Sequence, residues 1–217
     1  NLFGKKVFPN PKDHEILMRW ILYVGLVSKD DIILDFFAGS GTTAHAVLEL
    51  NKQDEGNRKF ILVQLPEPLD PNDKDQKAAS DFCDAIDKPR NIAEITKERI
   101  RRVIKKLNDE EATEQPTLFD DNTPKQDHGF RVFKLAESNL KPWNANASYD
   151  EKTLLQQLEL HINHIREGRT GNDILYELLL KSGFPLTVPA EKLRLAGKAV
   201  YSVADGSLFI CLERELT

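Results

Sequence analysis

Residues 31–47, with the sequence DIILDFFAGSGTTAHAV, constrain the fold of this chain more than any other stretch. The continuous apolar run at its start predicts a strand buried on both faces, and residues 42–50 predict a helix. Gly39 and Gly41 lie between the two, where glycine permits a tight turn. The apolar run KFILVQL, residues 59–65, predicts a second buried strand. Strand, glycine turn, helix and strand form a βαβ unit, which predicts parallel strands and an α/β fold.

Apolar residues at helical spacing predict further helices around this unit. Asn10-Pro11 is a favourable start for a helix that continues to residue 24. Residues 91–107 predict an amphipathic helix whose basic residues include Arg99. This basic face could contact DNA phosphates, but a solvated face balanced by acidic residues is favoured. The acidic residues 108–128 predict a mobile surface loop, and GFRVFKL, residues 129–135, predicts a strand.

The pattern changes after residue 145, so we expect one part over residues 1–145 and a small α+β appendage over residues 146–217. A helix is predicted over residues 151–165, with leucines 154, 155 and 158 and isoleucines 162 and 165 facing inward, and another over residues 173–181. Asp205-Gly206 predicts a β-hairpin. Its last apolar residues, 208–212, predict an unpaired edge through which the chain would form homodimers or aggregate.

Composition narrows the function classes. A net charge of −5 excludes a basic nucleic-acid-binding surface over the whole chain. Cys83 and Cys211 lack CxxC spacing, which indicates neither a disulfide framework nor a zinc cluster and favours a cytoplasmic protein. His161 and His164 have no HExxH context, so no metal site is predicted. No run of about 18 apolar residues predicts a membrane span.

The glycine turn predicts a ligand at the carboxyl end of the first strand. The sequence GSGTTA also fits the dinucleotide pattern G-x-G-x-x-A, so a nicotinamide enzyme is an alternative. Asp35, four residues before Gly39, would repel a diphosphate and suits the ammonium of an amino-acid-like group. Gln64 and Glu67 follow the second strand, where both ligands need an acceptor for ribose hydroxyls. Asp35 therefore favours S-adenosylmethionine over NAD.

Several motifs of the chain resemble those of known DNA methyltransferases. DFFAGSGTT, residues 35–43, resembles the S-adenosylmethionine-binding motif of amino-DNA methyltransferases of the permuted β class. VFPNPKD, residues 7–13, resembles the upstream cofactor motif of that class. RKFILVQLPEP, ERIRRV and GFRVFKL resemble the modification (Mod) subunit of type III restriction–modification systems. The resemblance implies a Rossmann-like methyltransferase half-domain within a site-specific DNA adenine-N6 methyltransferase that acts on double-stranded DNA with a restriction (Res) subunit.

The same resemblance implies the residues that bind S-adenosylmethionine. Asp35 would bind the methionine ammonium, residues 36–41 would form a backbone cradle, and Thr42 and Thr43 would hold the carboxylate. Many family members have an acid where this chain has Gln64, so either Gln64 or Glu67 would accept from the ribose. The predicted cofactor-binding residues are Asn10, Lys12, Asp35, Phe36, Phe37, Ala38, Gly39, Ser40, Gly41, Thr42, Thr43, Gln64 and Glu67.

Methyl transfer to adenine N6 requires a further motif, Asp/Asn-Pro-Pro-aromatic, whose ring stacks on a flipped base. The chain does not contain it: DPND at 70–73 and NPKD at 10–13 lack the second proline and the aromatic ring. In the permuted class this motif precedes the glycine motif. We therefore expect the chain to be a C-terminal part of a longer subunit, inactive alone and without catalytic residues. The alternatives are a nicotinamide-dinucleotide-binding enzyme and a non-catalytic subunit-interaction module.

Overall fold

The structure is a computed structural model that describes residues 2–4, 6–8, 10–24, 28–113, 126–144, 146, 150–162 and 164–213. The chain divides into two compact units, Asn1–Phe130 and Arg131–Thr217. The boundary between these units lies after Phe130, whereas the change of sequence pattern predicted a boundary after residue 145. Both units combine helices with a sheet, so the chain is a mixed helix-and-sheet protein.

The first unit is built around two parallel strands. Its elements are α1 (His14–Tyr23), β1 (Ile32–Asp35), α2 (Thr42–Asp54), β2 (Lys59–Leu62), α3 (Lys77–Ala85) and α4 (Ile92–Thr113). β1 and β2 pair in parallel, with Ile32 opposite Lys59 and Asp35 opposite Leu62. The predicted βαβ unit is confirmed, and the carboxyl ends of both strands lie at the same edge.

The start of α1 differs from the prediction. The carboxylate of Asp13 accepts a hydrogen bond from the backbone N–H of Glu15 at 2.8 Å, so Asp13 caps the helix and His14 begins it. The prediction of a start at Asn10-Pro11 is wrong, because Asp13 supplies the acceptor that satisfies a free N–H of the first turn.

Helix α4 holds the first unit together because it belongs to two hydrophobic clusters. One cluster joins α2, α4 and β2, and the other joins α3, α4 and the segment before α1. Their buried members are Ala44, Leu48, Ile100, Val103 and Leu107 in the first, and Val7, Leu69, Ala79, Phe82, Cys83 and Ile95 in the second. Burial of each valine, leucine, isoleucine or phenylalanine side chain among them contributes roughly 1.5–3 kcal/mol.

The described residues of this unit cover only one face of the parallel pair. Phe60 and Leu62 pack against the cluster of α2 and α4, whereas Ile32 and Leu34 are 61% and 58% exposed. The prediction that both strands are buried on both faces is therefore wrong for the described part of the unit. The continuous apolar run indicated two apolar faces, but the described helices pack against only one of them.

The second unit contains two helices and a three-stranded antiparallel sheet in its described part. Its elements are α5 (Glu151–Ile162), α6 (Gly171–Lys181), β3 (Ala190–Leu195), β4 (Lys198–Val203) and β5 (Leu208–Cys211), with strand order β3-β4-β5. The hairpin predicted about Asp205-Gly206 is confirmed, and β5 is an edge strand. Leu175 and Leu179 of α6 pack against Val203 and Ile210 of the sheet.

Three other predictions from the sequence differ from the structure, and part of one of them lies outside the described residues. Residues 129–135 form no strand, because Phe130 packs into the α2–α4 cluster and the segment pairs with no described strand. Leucines 154, 155 and 158 of α5 are exposed rather than inward-facing. Residues 108–113 of the predicted loop belong to α4, while residues 114–125 and the side chain of His161 lie outside the described residues. No described helix is long and apolar enough to cross a membrane.

Candidate ligand site at the glycine turn

The chain makes a tight turn between the end of β1 and the start of α2. Gly39 and Gly41 both adopt the left-handed conformation, with φ of 52° and 77°. The N–H of Gly41 donates to the carbonyl of Ala38 at 2.8 Å, and the N–H of Ala38 donates to the carbonyl of Val63 at 3.2 Å. The turn therefore presents the N-terminal backbone N–H groups of α2 at the carboxyl edge of the sheet, where helices bind anions.

The two glycines are required for different reasons. A Cβ on Gly41 would lie 3.1 Å from Cγ2 and 3.2 Å from the carbonyl oxygen of Thr96, so α4 occupies the space of a side chain. A Cβ on Gly39 would lie 3.7 Å from the ring of Phe8, an ordinary contact, so the left-handed backbone alone favours glycine there. The contact also places Phe8 of the VFPNPKD segment beside the turn.

The carboxylate of Asp35 is held in a fixed orientation at the end of β1. One oxygen accepts from the N–H of Phe37 at 3.0 Å and the other from the hydroxyl of Thr43 at 2.5 Å. A carboxylate offers about four acceptor positions, so two remain for a ligand. Asp35 can therefore bind a cationic group while Thr43 and the turn fix its direction.

The side chains that follow β2 differ in what they leave free. The Oε1 of Gln64 accepts from the N–H of Gly39 at 2.7 Å, and its Nε2 donates to the carbonyl of Leu65 at 3.0 Å. Glu67 is exposed, and its carboxylate has no hydrogen bond or ion pair with a described residue. Gln64 thus fixes the turn, and Glu67 offers the uncommitted acceptor.

Ser40 and Thr42 point inward rather than towards solvent. Both residues are buried, and their hydroxyl oxygens accept from Nη1 of Arg99 at 3.0 Å and 2.9 Å. The hydroxyl of Thr96, one turn earlier in α4, donates to the carbonyl of Gly39 at 2.5 Å. The turn is therefore hydrogen-bonded to two polar side chains of α4, those of Thr96 and Arg99.

The remaining predicted residues lie around this network. Phe36 and Phe37 are 62% and 83% exposed, with ring centroids 5.1 Å apart. Asn10 and Lys12 are exposed and precede α1, and neither forms a hydrogen bond or ion pair with a described residue. The structure thus joins residues 35–43 and Gln64 into one set of contacts and leaves Asn10, Lys12 and the carboxylate of Glu67 outside it.

Arg99 and Thr96 are the site residues that the sequence analysis missed. Arg99 was assigned to a solvated basic face, yet it is only 8% exposed. It follows Ile95 and precedes Val103 by four residues each, so helical spacing alone indicated the buried side. The other basic residues of this face are ion-paired: the pairs within α4 are Lys97–Glu94, Arg101–Glu98, Arg102–Glu98 and Lys105–Asp109, and Lys106 pairs with Glu49 of α2.

A second cluster adjoins the turn where α1 packs on α2. The rings of His14 and His45 stack in parallel, with centroids 3.9 Å apart, and Nε2 of His45 lies 3.4 Å from Glu49. Burial lowers the pKa of His45, and the neighbouring His45 ring and Lys106 ammonium hold the pKa of Glu49 at about 2. These three groups come within 4.8 Å of one another. The guanidinium of Arg99, 3.4 Å from His45, opposes a divalent cation at this cluster.

A family model described as DNA methylase matches residues 2–98, which include the glycine turn and the start of α4. Over these residues the chain is similar to the DNA methylase family. The EcoPI Mod subunit of Escherichia phage P1, a type III restriction–modification enzyme subunit, is 31% identical over 97% of this chain and 28% of its own length. The StyLTI Mod subunit of Salmonella typhimurium is 43% identical over 49% of this chain and 15% of its own length. The type II methyltransferase M.KpnI of Klebsiella pneumoniae is 48% identical over 31% of this chain and 16% of its own length.

The resemblance to Mod subunits that the sequence predicted is confirmed by these relatives. The chain spans less than a third of the length of each of them.

Proposed function

We propose that this chain is the cofactor-binding part of a site-specific DNA adenine-N6 methyltransferase of a type III restriction–modification system. Its first unit is a Rossmann-like half-domain, and its cofactor is S-adenosylmethionine. The observation that carries the proposal is the carboxylate of Asp35, fixed at the end of β1 beside two left-handed glycines. The relatives named as Mod subunits support the reaction class.

The sign of the charge at Asp35 distinguishes S-adenosylmethionine from NAD. Two unit charges 4 Å apart interact by about 4 kcal/mol at an effective dielectric constant of 20. A carboxylate at this position would attract the methionine ammonium by roughly that amount and oppose a diphosphate by a similar one. The glycine pattern alone fits both ligands, so the charge of Asp35 is the feature that favours S-adenosylmethionine.

The residues present fit the parts of S-adenosylmethionine. Asp35 would bind its ammonium, and the backbone of residues 38–43 would bind its carboxylate at the N-terminus of α2. Glu67, with Gln64 beside it, would accept from the ribose hydroxyls, and Phe36 and Phe37 would supply apolar surface. Asn10 and Lys12 would approach the methionine moiety from the segment beside Phe8. When bound, S-adenosylmethionine supplies a methyl group on a sulfonium.

This chain would supply the donor side of the reaction only. Its sequence contains no Asp/Asn-Pro-Pro-aromatic motif, so we propose that parts of the subunit outside these residues hold the target adenine, contact double-stranded DNA and bind the Res subunit. Positioning of two reactants contributes effective molarities of about 10⁵–10⁸ M. The loss of the acceptor side therefore leaves no measurable methyl transfer by this chain alone.

Calorimetric titration of the chain with S-adenosylhomocysteine and with NAD tests the ligand. We expect S-adenosylhomocysteine to bind and NAD not to bind. Asp35→Asn should weaken S-adenosylhomocysteine binding about tenfold or more, because it removes a charged partner of the ammonium. Asp81→Asn, an exposed change on α3, is the matched control and should leave binding unchanged. Binding of NAD alone would favour a nicotinamide enzyme, and binding of neither ligand would favour the interaction module.

An assay with tritiated S-adenosylmethionine and adenine-rich plasmid DNA tests the division of labour. The chain alone should incorporate no label, and addition of the missing part of the subunit should restore incorporation. Label transferred by the chain alone, and abolished by Gly39→Trp, would show that it contains its own acceptor site and would refute the donor-side proposal.

A further inference from the structure

We propose that Arg99 is a positioning residue of this site, and that its guanidinium makes the N-terminus of α2 selective for a ligand that carries a carboxylate. The inference rests on the proposed function, since the ligand class is the amino-acid moiety of S-adenosylmethionine. It adds a residue of α4 that makes no direct contact with the ligand and acts through Ser40 and Thr42.

The first argument is the position of the guanidinium. Arg99 is 8% exposed, and its Nη1 donates to the hydroxyl oxygens of Ser40 and Thr42 on either side of Gly41. Thr96 bonds the carbonyl of Gly39 from the same face of α4. Arg99 therefore lies directly beneath the turn. Only the side chains of Ser40 and Thr42 separate its guanidinium from the backbone that would contact the ligand.

The second argument is that its charge is not neutralised by any described residue. No described carboxylate forms an ion pair with Arg99, whereas Lys97, Arg101, Arg102 and Lys105 of the same helix are all paired. Buried charges are ordinarily paired, because desolvation of a lone ion is costly. Burial lowers the pKa of Arg99, and no described acid offsets that effect.

The neighbouring His45 does not neutralise the charge of Arg99. Nη2 of Arg99 lies 3.4 Å from Nδ1 of His45, and arginine can only donate, so Nδ1 is unprotonated and its lone pair faces the guanidinium. His45 is therefore neutral, in agreement with its lowered pKa. The carboxylate of Glu49 lies beyond His45 and is bound by Lys106 at 2.7 Å.

The third argument concerns the direction of the hydroxyl hydrogens. Because Arg99 donates to both hydroxyl oxygens, neither hydroxyl of Ser40 or Thr42 can direct its hydrogen towards the guanidinium. The two oxygens lie 3.2 Å apart, so one hydroxyl can donate to the other and one hydrogen remains to be accepted. Donors that follow a cation in a chain of hydrogen bonds are polarised and strengthened. Because both hydroxyls are buried, they act on a ligand only electrostatically, by adding to the positive potential of the N–H groups of α2, which favours an anion.

Binding of two ligands that differ only in the carboxylate tests the inference. S-adenosylhomocysteine carries both an ammonium and a carboxylate, and its decarboxylated analogue, S-(5′-adenosyl)-3-thiopropylamine, keeps the ammonium and the adenosine. Arg99→Gln should weaken binding of S-adenosylhomocysteine roughly tenfold, because it removes a cation that acts on the carboxylate at a distance of about 10 Å, and should leave binding of the analogue unchanged or tighter. Arg101→Gln, an exposed residue of α4 paired with Glu98, is the matched control and should change neither affinity.

Each other outcome has a distinct meaning. Equal loss of both ligands in Arg99→Gln would show that the residue only supports the fold, and would refute the inference. If wild type binds the two ligands equally well, the carboxylate is not selected and the inference fails, although the proposed function stands. If wild type binds neither ligand, the proposed function fails and the inference fails with it.

The conservative variant covers the case in which Arg99→Gln does not fold, as judged by circular dichroism. Arg99→Lys keeps the charge at a shorter reach. It should weaken S-adenosylhomocysteine binding by a smaller factor than that expected for Arg99→Gln, and it should leave binding of the analogue unchanged. Parallel losses of both ligands in Arg99→Lys would refute the selective role.

Discussion

Substitution of Gly41 by alanine would test whether the glycine turn rests on α4. Gly41 has a φ of 77°, and its Cβ would lie 3.1 Å from Cγ2 and 3.2 Å from the carbonyl oxygen of Thr96. The left-handed conformation costs roughly 1–2 kcal/mol for an L-residue. Overpacking adds about 1–3 kcal/mol, because the carbonyl oxygen belongs to a helix and cannot rotate away. We therefore expect Gly41→Ala to lower the free energy of unfolding of the first unit by about 2–5 kcal/mol.

Two further variants separate the backbone effect from the contact. Gly4→Ala lies in the same unit, has a φ of 73° and meets no atom within 4 Å, so it should cost no more than the backbone effect of roughly 1–2 kcal/mol. Thr96→Ser in the Gly41→Ala background removes Cγ2 and retains the hydroxyl that bonds Gly39. It should recover about 1 kcal/mol, since one of the two close contacts disappears.

Urea unfolding followed by circular dichroism, with hydrogen exchange of α2 and α4 to report on the first unit, measures these differences. The reasoning would be refuted if Gly41→Ala proved no more destabilising than Gly4→Ala. It would also be refuted if Thr96→Ser failed to recover stability in the double variant, because the close approach of α4 would then not limit the turn.

Two predictions concern the titration and the ion pairs of the chain. Burial lowers the pKa of His45 below its unfolded value near 6.5, so the stability that neutral His45 contributes is complete above that pH and should fall by up to about 1.4 kcal/mol per unit as the pH decreases below it. His45→Gln should flatten this dependence in urea titrations while His164→Gln, at an exposed site, should not; an unchanged slope in His45→Gln would contradict the assignment. Asp54→Ala should lower stability by about 2–3 kcal/mol because it leaves the buried guanidinium of Arg58 without its two bonds of 2.9 and 2.8 Å. Asp84→Ala removes a similar pair of hydrogen bonds, from Arg90, at the surface, and should lower stability much less. Thermal unfolding of the two variants measures the difference, and equal losses of stability would contradict the role of burial.

The βαβ unit was predictable from the sequence because its signals are local. Apolar runs of strand length, two glycines and a helical pattern fix the order of elements without any distant contact. The hairpin at Asp205-Gly206 was predictable for the same reason, since its turn residues determine its geometry. The end of β1 also fixed the place of Asp35 beside the turn.

Other features depend on contacts between distant residues, which one sequence does not specify. Residues 129–135 carry the apolar pattern of a strand, yet no described strand pairs with them. The leucines of α5 follow helical spacing without covering a described core. Strand β3, the first strand of the antiparallel sheet in the second unit, was not predicted because its alternation of charged and apolar residues is weak. Arg99 was misassigned because charge was weighed above its helical spacing.

The two charges beside the turn, taken together, narrow the ligand further than the glycine pattern does. Asp35 lies at the end of β1 and offers a carboxylate, while Arg99 lies beneath the start of α2 and brings a cation within 3.0 Å of the turn's hydroxyls. A diphosphate would gain from the cation but would be repelled by the acid. A simple amine would gain from the acid alone. An amino-acid moiety carries both charges, with ammonium and carboxylate separated by two bonds through one carbon, so it gains from both partners. The presence of an acid, Asp35, and a base, Arg99, on two sides of the turn therefore supports a zwitterionic ligand.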